Sequence, residues 1–346
     1  MKRMRRFLAA ALTIAMMGSL VGCSGGGKTE TPAAETQPKT EAAASETAAE
    51  TNAETSVEAQ GDKEYYIGYS LCEYTMALAA YSAKLFEDEC KDRGYKYTIT
   101  DAEKDPSKQI DDINALINMG IDALLVMPTD GQAVAPGVEA AYEAGIPVVV
   151  VLRDMPSVND KYLAFSGCDD IELGTLAGQW IVDTLDGKGK IVYISGTPGL
   201  STAEDRSKGF HSVVDKAEGI EIVAEQAGNY SRSTAMQVME AILQANPEID
   251  AVWCANDEMA GGVCQAIDAA GRSGIKVGGA NLQKDAFDRI MSGEQEADVT
   301  TPPQMVIQGL DALITKLEGG TVEKRLLYPL DIVTKENAAD FEYQTY

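Results

Sequence analysis

The sequence predicts an α/β protein of two doubly wound, Rossmann-like lobes with a hinge and a cleft between them. Apolar runs without polar alternation recur, as at 123–127 (ALLVM) and 147–152 (PVVVVL), the pattern of strands buried on both faces. Segments of helical period stand between them, closed by glycines. The alternation also runs twice, before and after a break near residue 170, and each run is long enough for its own parallel sheet.

The elements follow in order. Tyr65–Ser70 is β-rich, Ala77–Arg93 is helical with Gly94 as its cap, and Tyr95–Thr100 is the next strand. Asp105-Pro106-Ser107 opens a helix whose face carries Ile110, Ile113, Leu116 and Ile117, and Gly120 ends it. Ala123–Met127 is a strand, Val134–Ala144 a helix capped by Gly145, and Pro147–Leu152 a strand. After the break come helices at 173–185, 203–216, 234–244 and 259–270, alternating with strands at 190–195, 220–227 and 251–255. Ile275–Gly278 closes the run. In paired doubly wound sheets, ligands sit at the carboxyl ends of the strands, where loops of both lobes meet.

The first 60 residues read differently. Lys2, Arg3, Arg5 and Arg6 precede an apolar stretch from Phe7 to Met17, too short to span a membrane and similar to a secretory signal. It ends in Leu20-Val21-Gly22-Cys23, which resembles a bacterial lipobox, so residues 1–23 are expected to be a lipoprotein signal peptide with Cys23 as the acylated anchor. An uncleaved anchor, or a plain signal with an incidental cysteine, is the alternative. Residues 24–60 are Ala, Glu, Thr, Ser and Gly with almost no large apolar side chains, the composition of a disordered acidic tether. Gly22–Thr29 (GCSGGGKT) matches the phosphate-loop spacing, but a signal precedes it and a tether follows, where the chemistry needs a strand and a helix.

Charge narrows the function classes. The 346 residues hold 29 Lys and Arg against 54 Asp and Glu, a net charge of −25, which disfavours nucleic acid and anionic membrane surfaces as partners of the folded part. The single histidine, His211, leaves no His cluster for a metal and little room for imidazole catalysis. Besides Cys23, five cysteines remain with no CxxC spacing, so free buried thiols are expected rather than a metal knuckle or a disulfide framework. No cofactor and no catalytic residue is expected. Binding is favoured over catalysis.

Five segments, in register over residues 62–338, carry a family resemblance. They are MPTD (127–130), AGIPVV (144–149), EDRSKGF (204–210), ANDEMA (255–260) and Tyr328-Pro329-Leu330. The chain resembles type I periplasmic binding proteins, in particular the ribose/galactose-type sugar-binding branch of ABC importers. The resemblance implies a first lobe of 62–168 plus 302–330 and a second of 169–301 plus 331–346. It also implies an extracytoplasmic, monomeric protein that captures a sugar-like small molecule and delivers it to an ABC permease. Lactose-repressor-type regulators share that fold but carry a DNA-binding head, which is absent here. With the lipobox, it implies anchoring to a bacterial cell membrane, and the tether points to a Gram-positive surface.

Carried over by position, Arg206 corresponds to an arginine that hydrogen-bonds sugar hydroxyls, Asn256 to an asparagine that both donates and accepts, and Tyr230 to a stacking aromatic. A surface arginine, a turn asparagine and a core tyrosine are the respective alternatives. Asn281 stands where many members have aspartate, and a neutral acceptor bonds a hydroxyl less strongly. Arg153 matches another arginine, but Leu152 takes the place of the aspartate before it and Asp154 follows, so Asp154 is held as a further candidate. The first loop departs most: Met76 replaces an asparagine, and Leu78 and Ala79 replace two stacking phenylalanines. Met127, Cys168 and Thr301 replace polar contacts, Ala280 replaces an aromatic, and Tyr74 or Tyr81 is a candidate source of a ring. These departures leave a polyol, a short sugar, a deoxy sugar or a furanone signal open beside a pyranose. A ligand-sensing module that presents such a molecule to a membrane receptor is the alternative to transport.

Overall fold

The structure is a computed structural model and describes residues 64–346. The expected leader with Cys23, the phosphate-loop look-alike and the expected tether over 24–60 lie outside the described residues.

The first run of elements is β1 (Tyr66–Leu71), α1 (Ala77–Arg93), β2 (Lys96–Asp101), α2 (Pro106–Asn118), β3 (Ala123–Val126), α3 (Ala135–Glu143), β4 (Val148–Val151) and β5 (Ala164–Gly167). The second is α4 (Asp170–Thr184), β6 (Gly189–Ser195), α5 (Ser201–Val214), β7 (Ile220–Ala227), α6 (Arg232–Ala245), β8 (Ala251–Cys254), α7 (Asp257–Ala269), β9 (Lys276–Asn281), α8 (Lys284–Ser292) and β10 (Ala297–Thr300). The chain then returns through α9 (Met305–Leu317), β11 (Arg325–Leu327) and β12 (Ile332–Thr334).

Two six-stranded sheets result, ordered β11-β5-β4-β3-β1-β2 and β12-β10-β9-β8-β6-β7. All pairings are parallel except β12, which runs antiparallel to β10. The strand order in each sheet reverses beside its first strand, β1 or β6, the switch point at which open α/β sheets leave a crevice. Because β11 joins the first sheet and β12 the second, the chain crosses between the sheets three times, at 168–169, 301–304 and 328–331. The expected run ended at Gly278, whereas β9 continues to Asn281 and further elements follow. Short strands such as AFSG (β5) and ADVT (β10) carry too few residues to show a period, which is why the sequence pattern gives no sign of them.

Each sheet is covered on both faces. In the first lobe, α1 and α9 bury Phe86, Leu310 and Leu313 against Tyr69 and Leu125, while α2 and α3 bury Ile113, Leu116 and Val138 against Leu124 and Val150. In the second, α6 and α7 pack Met239 and Val263 on Val252, and α4 and α5 pack Ile181 and Phe210 on Tyr193 and Trp253. Tyr193 and Phe210 stack with centroids 4.4 Å apart.

One packing detail positions the site. A Cβ on Gly174 would lie 2.0 Å from the Arg206 carbonyl oxygen, and one on Gly209 would lie 2.1 Å from that of Ile171. Only glycine allows α4 and α5 to meet backbone to backbone here. The contact sets Arg206 of α5 beside Asp170, the first residue of α4.

Candidate functional site

The loops at the carboxyl ends of β1 to β4 face those after β6 to β9 across a cleft of about 670 Å³, within the size range of small-molecule sites. Backbone strain collects there. Of the eight described non-glycine residues with positive φ, five line the cleft: Lys104, Leu152, Asn229, Tyr230 and Asn281. Such conformations cost about 1–3 kcal/mol each and persist where the surroundings enforce them.

The second lobe's wall is held by internal bonds. Arg206 is 5% exposed; its Nε donates to Asp170 Oδ1 at 2.7 Å, and its Nη1 to the Ala255 carbonyl at 2.6 Å and Asn281 Oδ1 at 3.5 Å. Burial pushes the Asp170 carboxyl up and Arg206 pulls it back; burial disfavours the charged guanidinium in turn, and Asp170 more than offsets this. Asn256 caps α7, with its Oδ1 accepting from the Met259 N–H at 3.0 Å, so the carbonyl end of its amide is engaged and Nδ2 is left over. The Tyr230 hydroxyl lies 3.3 Å from Thr202 Oγ1. Burial pushes that hydroxyl up, while Arg206 and, from the facing lobe, Arg153 pull it down. Two guanidiniums from opposite lobes therefore act on one volume.

The loop Asn281-Leu282-Gln283 is tied down from beneath. Asp298 Oδ1 accepts from the Leu282 N–H at 2.8 Å and Asp257 Oδ2 from the Gln283 N–H at 2.7 Å. Both carboxyls are fully buried and face one another, so burial first, and then the opposing carboxyl, lifts Asp257 well above the usual carboxylate range. Tyr346 adds a second tie. Its carbonyl accepts from the Lys284 N–H at 3.0 Å, its ring packs 5.8 Å from that of Tyr81 on α1, and its buried hydroxyl lies near Asn281. It thus touches both lobes.

The first lobe's wall has fewer polar ties. Gln109 fastens it, donating to the Met127 carbonyl at 3.0 Å and accepting from the Thr129 N–H at 2.8 Å. Arg153 donates through Nη1 to the Pro128 carbonyl at 2.8 Å, and Met76 Sδ stands 3.9 Å from Nη2, too long for a strong bond. Its Nε is buried without a partner, as is Thr129 Oγ1. The two carboxylates on the walls are already paired, Glu73 with Lys104 at 3.0 Å and Glu258 with Arg232 at 3.0 Å.

Of the residues singled out from sequence, the structure brings Arg153, Arg206, Tyr230, Asn256, Asn281 and Met76 to the cleft, with Leu78 and Leu152 beside them. The others stand elsewhere. Tyr74 is 45% exposed off the wall, and Met127 is buried in the core beneath it, with Thr129 taking the wall position. Asp154 turns away to the Tyr162 hydroxyl at 2.7 Å and to Arg325 at 2.5 Å. Cys168 and Thr301 are buried on two of the three crossings between the sheets. Burial, with Asp170 nearby, pushes the Cys168 thiol up to about 12. Sequence reasoning missed Gln109, Thr129, Thr202, Gln283 and Tyr346; of these, Thr129 alone had a local signal, its place just after the apolar strand β3.

The family model of the periplasmic binding protein domain matches residues 67–321, most of the chain. The chain belongs to the periplasmic binding protein family. As a member, it is 34% identical over 275 residues to the ribose import binding protein RbsB of Bacillus subtilis, covering 79% of this chain and 88% of that protein. Among solved structures, it is similar to the periplasmic binding protein component of the arabinose ABC transporter from Shewanella sp. ANA-3, bound to L-arabinofuranose: 30% identity, TM-score 0.76, 81% of this chain and 95% of that one. It is also similar to the fructose-binding periplasmic domain of a hybrid two-component system: 28% identity, TM-score 0.75, 81% and 94% covered. This periplasmic binding protein has its cleft where the two-sheet fold leaves its crevice.

Proposed function

We propose that this is an extracytoplasmic solute-binding protein that captures a sugar or sugar-like polyol between its lobes and hands it to an ABC permease. The observation that carries the reading is the convergence of two buried guanidiniums, Arg153 and Arg206, with Asn256 and Tyr230 in one cleft at the strand ends. A guanidinium fork and an amide suit vicinal oxygens, and a ring suits the apolar face of a sugar. The ligand bridges both walls and favours whichever lobe arrangement lets it do so. Arg153, Arg206, Tyr230, Asn256 and Asn281 are the contacts, with Thr129, Thr202 and Gln283 added by position. Binding rather than catalysis is supported by His211, which lies outside the cleft between Asp215 and Glu225. We further read Cys23 as a lipid anchor, residues 24–60 as the tether, a Gram-positive surface as the setting and the monomer as the working form.

Thermal-shift screening of the purified protein against pentoses, hexoses, deoxy sugars, inositols and linear polyols tests the reading. A binder at about 100 times its Kd adds roughly 2.7 kcal/mol of stability, and the shift should vanish in Asn256→Ala. Silence across the panel contradicts the polyol reading. For the anchor, Cys23→Ala should move the protein from the membrane fraction to the medium. A second reading, a sensing module for a small polyol or furanone signal, is favoured by the likeness to a domain of a two-component system.

A further inference from the structure

The charged groups on the cleft walls are unbalanced, because Lys104, Arg206 and Arg232 each have a carboxylate and Arg153 has none within ion-pair distance among the described residues. Asn256 has spent its carbonyl oxygen on the cap of α7, and Asn281 turns its own toward Arg206. Both wall carboxylates hold a cation. Asn256 Nδ2, Arg206 Nη2 and the Arg153 guanidinium remain toward the cleft as donors, beside the hydroxyls of Thr129, Thr202 and Tyr230 and the amide of Gln283, which both donate and accept.

Arg153 sharpens the imbalance. It is 9% exposed, it has no carboxylate within ion-pair distance among the described residues, and its Nε has no partner. Its contacts are the Pro128 carbonyl, the Met76 thioether and the Cys72 thiol, and Asp170, already bonded to Arg206, reaches it only at longer range. Burial pushes the Cys72 thiol up, so it stays neutral and supplies no countercharge. Arg206, by contrast, has Asp170 at 2.7 Å. A buried cation without a counterion is costly in a chain whose net charge is −25.

We infer that the ligand is a polyhydroxy monocarboxylate, an aldonate or uronate, whose carboxylate pairs with Arg153 on the first lobe while its hydroxyls meet Arg206, Asn256 and Tyr230 on the second. The inference rests on the polyol reading above and narrows it. It departs from the ribose, arabinofuranose and fructose named for the relatives, all of which are neutral. Carboxylate–guanidinium bonds are the stronger kind, and in a closed cleft they are little screened.

The test is equilibrium titration of the purified full chain with matched pairs: D-ribose against D-ribonate, D-galactose against D-galacturonate, and D-glucose against D-gluconate. In at least one pair the anion should bind at least about tenfold tighter, the factor that 1.4 kcal/mol supplies. Arg153→Gln should collapse that ratio toward one. Leu152→Asp, which gives Arg153 a counterion of its own at a backbone position with φ of 70°, should reverse it in favour of the neutral sugar. Neutral members binding as tightly as their anions, in every pair that binds, overturn the inference and leave the polyol reading standing. No binding by any member of any pair also overturns the inference, while the polyol reading is decided by the wider panel of neutral sugars and polyols above.

Discussion

The two walls of the cleft are built on the same strand–loop–helix plan and finished differently. On the second lobe, Arg206, Asn256 and the 281–283 loop each take a bond from a neighbour that is itself fixed. The first lobe presents Leu152, Met76 and Leu78 around one guanidinium with a single strong bond. A wall whose groups are fixed before the ligand arrives loses little entropy on binding and sets its orientation. The barer wall decides which chemistry completes the site.

Removing the two arginines separates these roles most sharply. Arg206→Ala leaves Asp170 buried without its cation, and breaking such a pair costs about 3–5 kcal/mol; urea unfolding should show that loss together with lost binding. Arg153→Met removes a charge that has no counterion and keeps apolar volume. Its unfolding midpoint should stay within about 1 kcal/mol of wild type, or rise, while ligand binding is lost. Equal destabilisation by both would erase the distinction between the walls.

Next in size is the loop beneath the second wall. Asp298→Ala strips the acceptor from the Leu282 N–H and should cost about 1–3 kcal/mol, with a clear drop in affinity because Asn281 loses its support. The buried pair also sets a pH dependence. Both carboxyls titrate above their ordinary value because burial disfavours the charge; Asp298 adds to the rise of Asp257, whereas the bond from Asp257 pulls Asp298 part of the way back. An acid raised in the fold costs stability as pH climbs from about 4 toward its folded value. Asp257→Asn keeps a donor facing Asp298 and should flatten the fall in unfolding midpoint between pH 4.5 and 8. An unchanged slope would place its origin elsewhere.

The smallest effect lies away from the cleft. His211 Nδ1 is 3.0 Å from Asp215 and Nε2 is 3.2 Å from Glu225. Burial pulls the imidazole down, but these two carboxylates outweigh it and its pKa is raised. Its contribution is therefore full below about 6.5 and lost as pH rises through the folded value. His211→Gln should lower the midpoint slightly at pH 5.5, leave it unchanged at pH 9, and leave ligand affinity alone.

How far the sequence speaks also differs between the walls. Asn256 caps α7 directly after an apolar strand, a place legible from the strand-to-helix pattern, whereas Arg206 lies in the second turn of α5 and is legible only through the family motif EDRSKGF. The first wall is legible only in part. In Leu152-Arg153-Asp154, the left-handed backbone at Leu152 sends Arg153 to the cleft and Asp154 to Arg325, a choice that depends on φ and on an edge strand 171 residues away. Met127 and Thr129 are two residues apart at a strand end, yet one is core and the other wall. Tyr346 and Tyr81 are brought together from the two ends of the described chain, and no local pattern encodes a meeting set by tertiary packing.

The central claim, capture of a polyhydroxy ligand between the two walls, is tested most directly by calorimetric titration of wild type, Arg153→Met and Asn256→Ala with a ligand found in the screen. One variant lies on each wall, and neither removes a buried ion pair. The account predicts one site per chain, at least about tenfold weaker binding in each variant, and a fall in the radius of gyration of wild type on saturation. A ligand that binds both variants as tightly as wild type would contradict it.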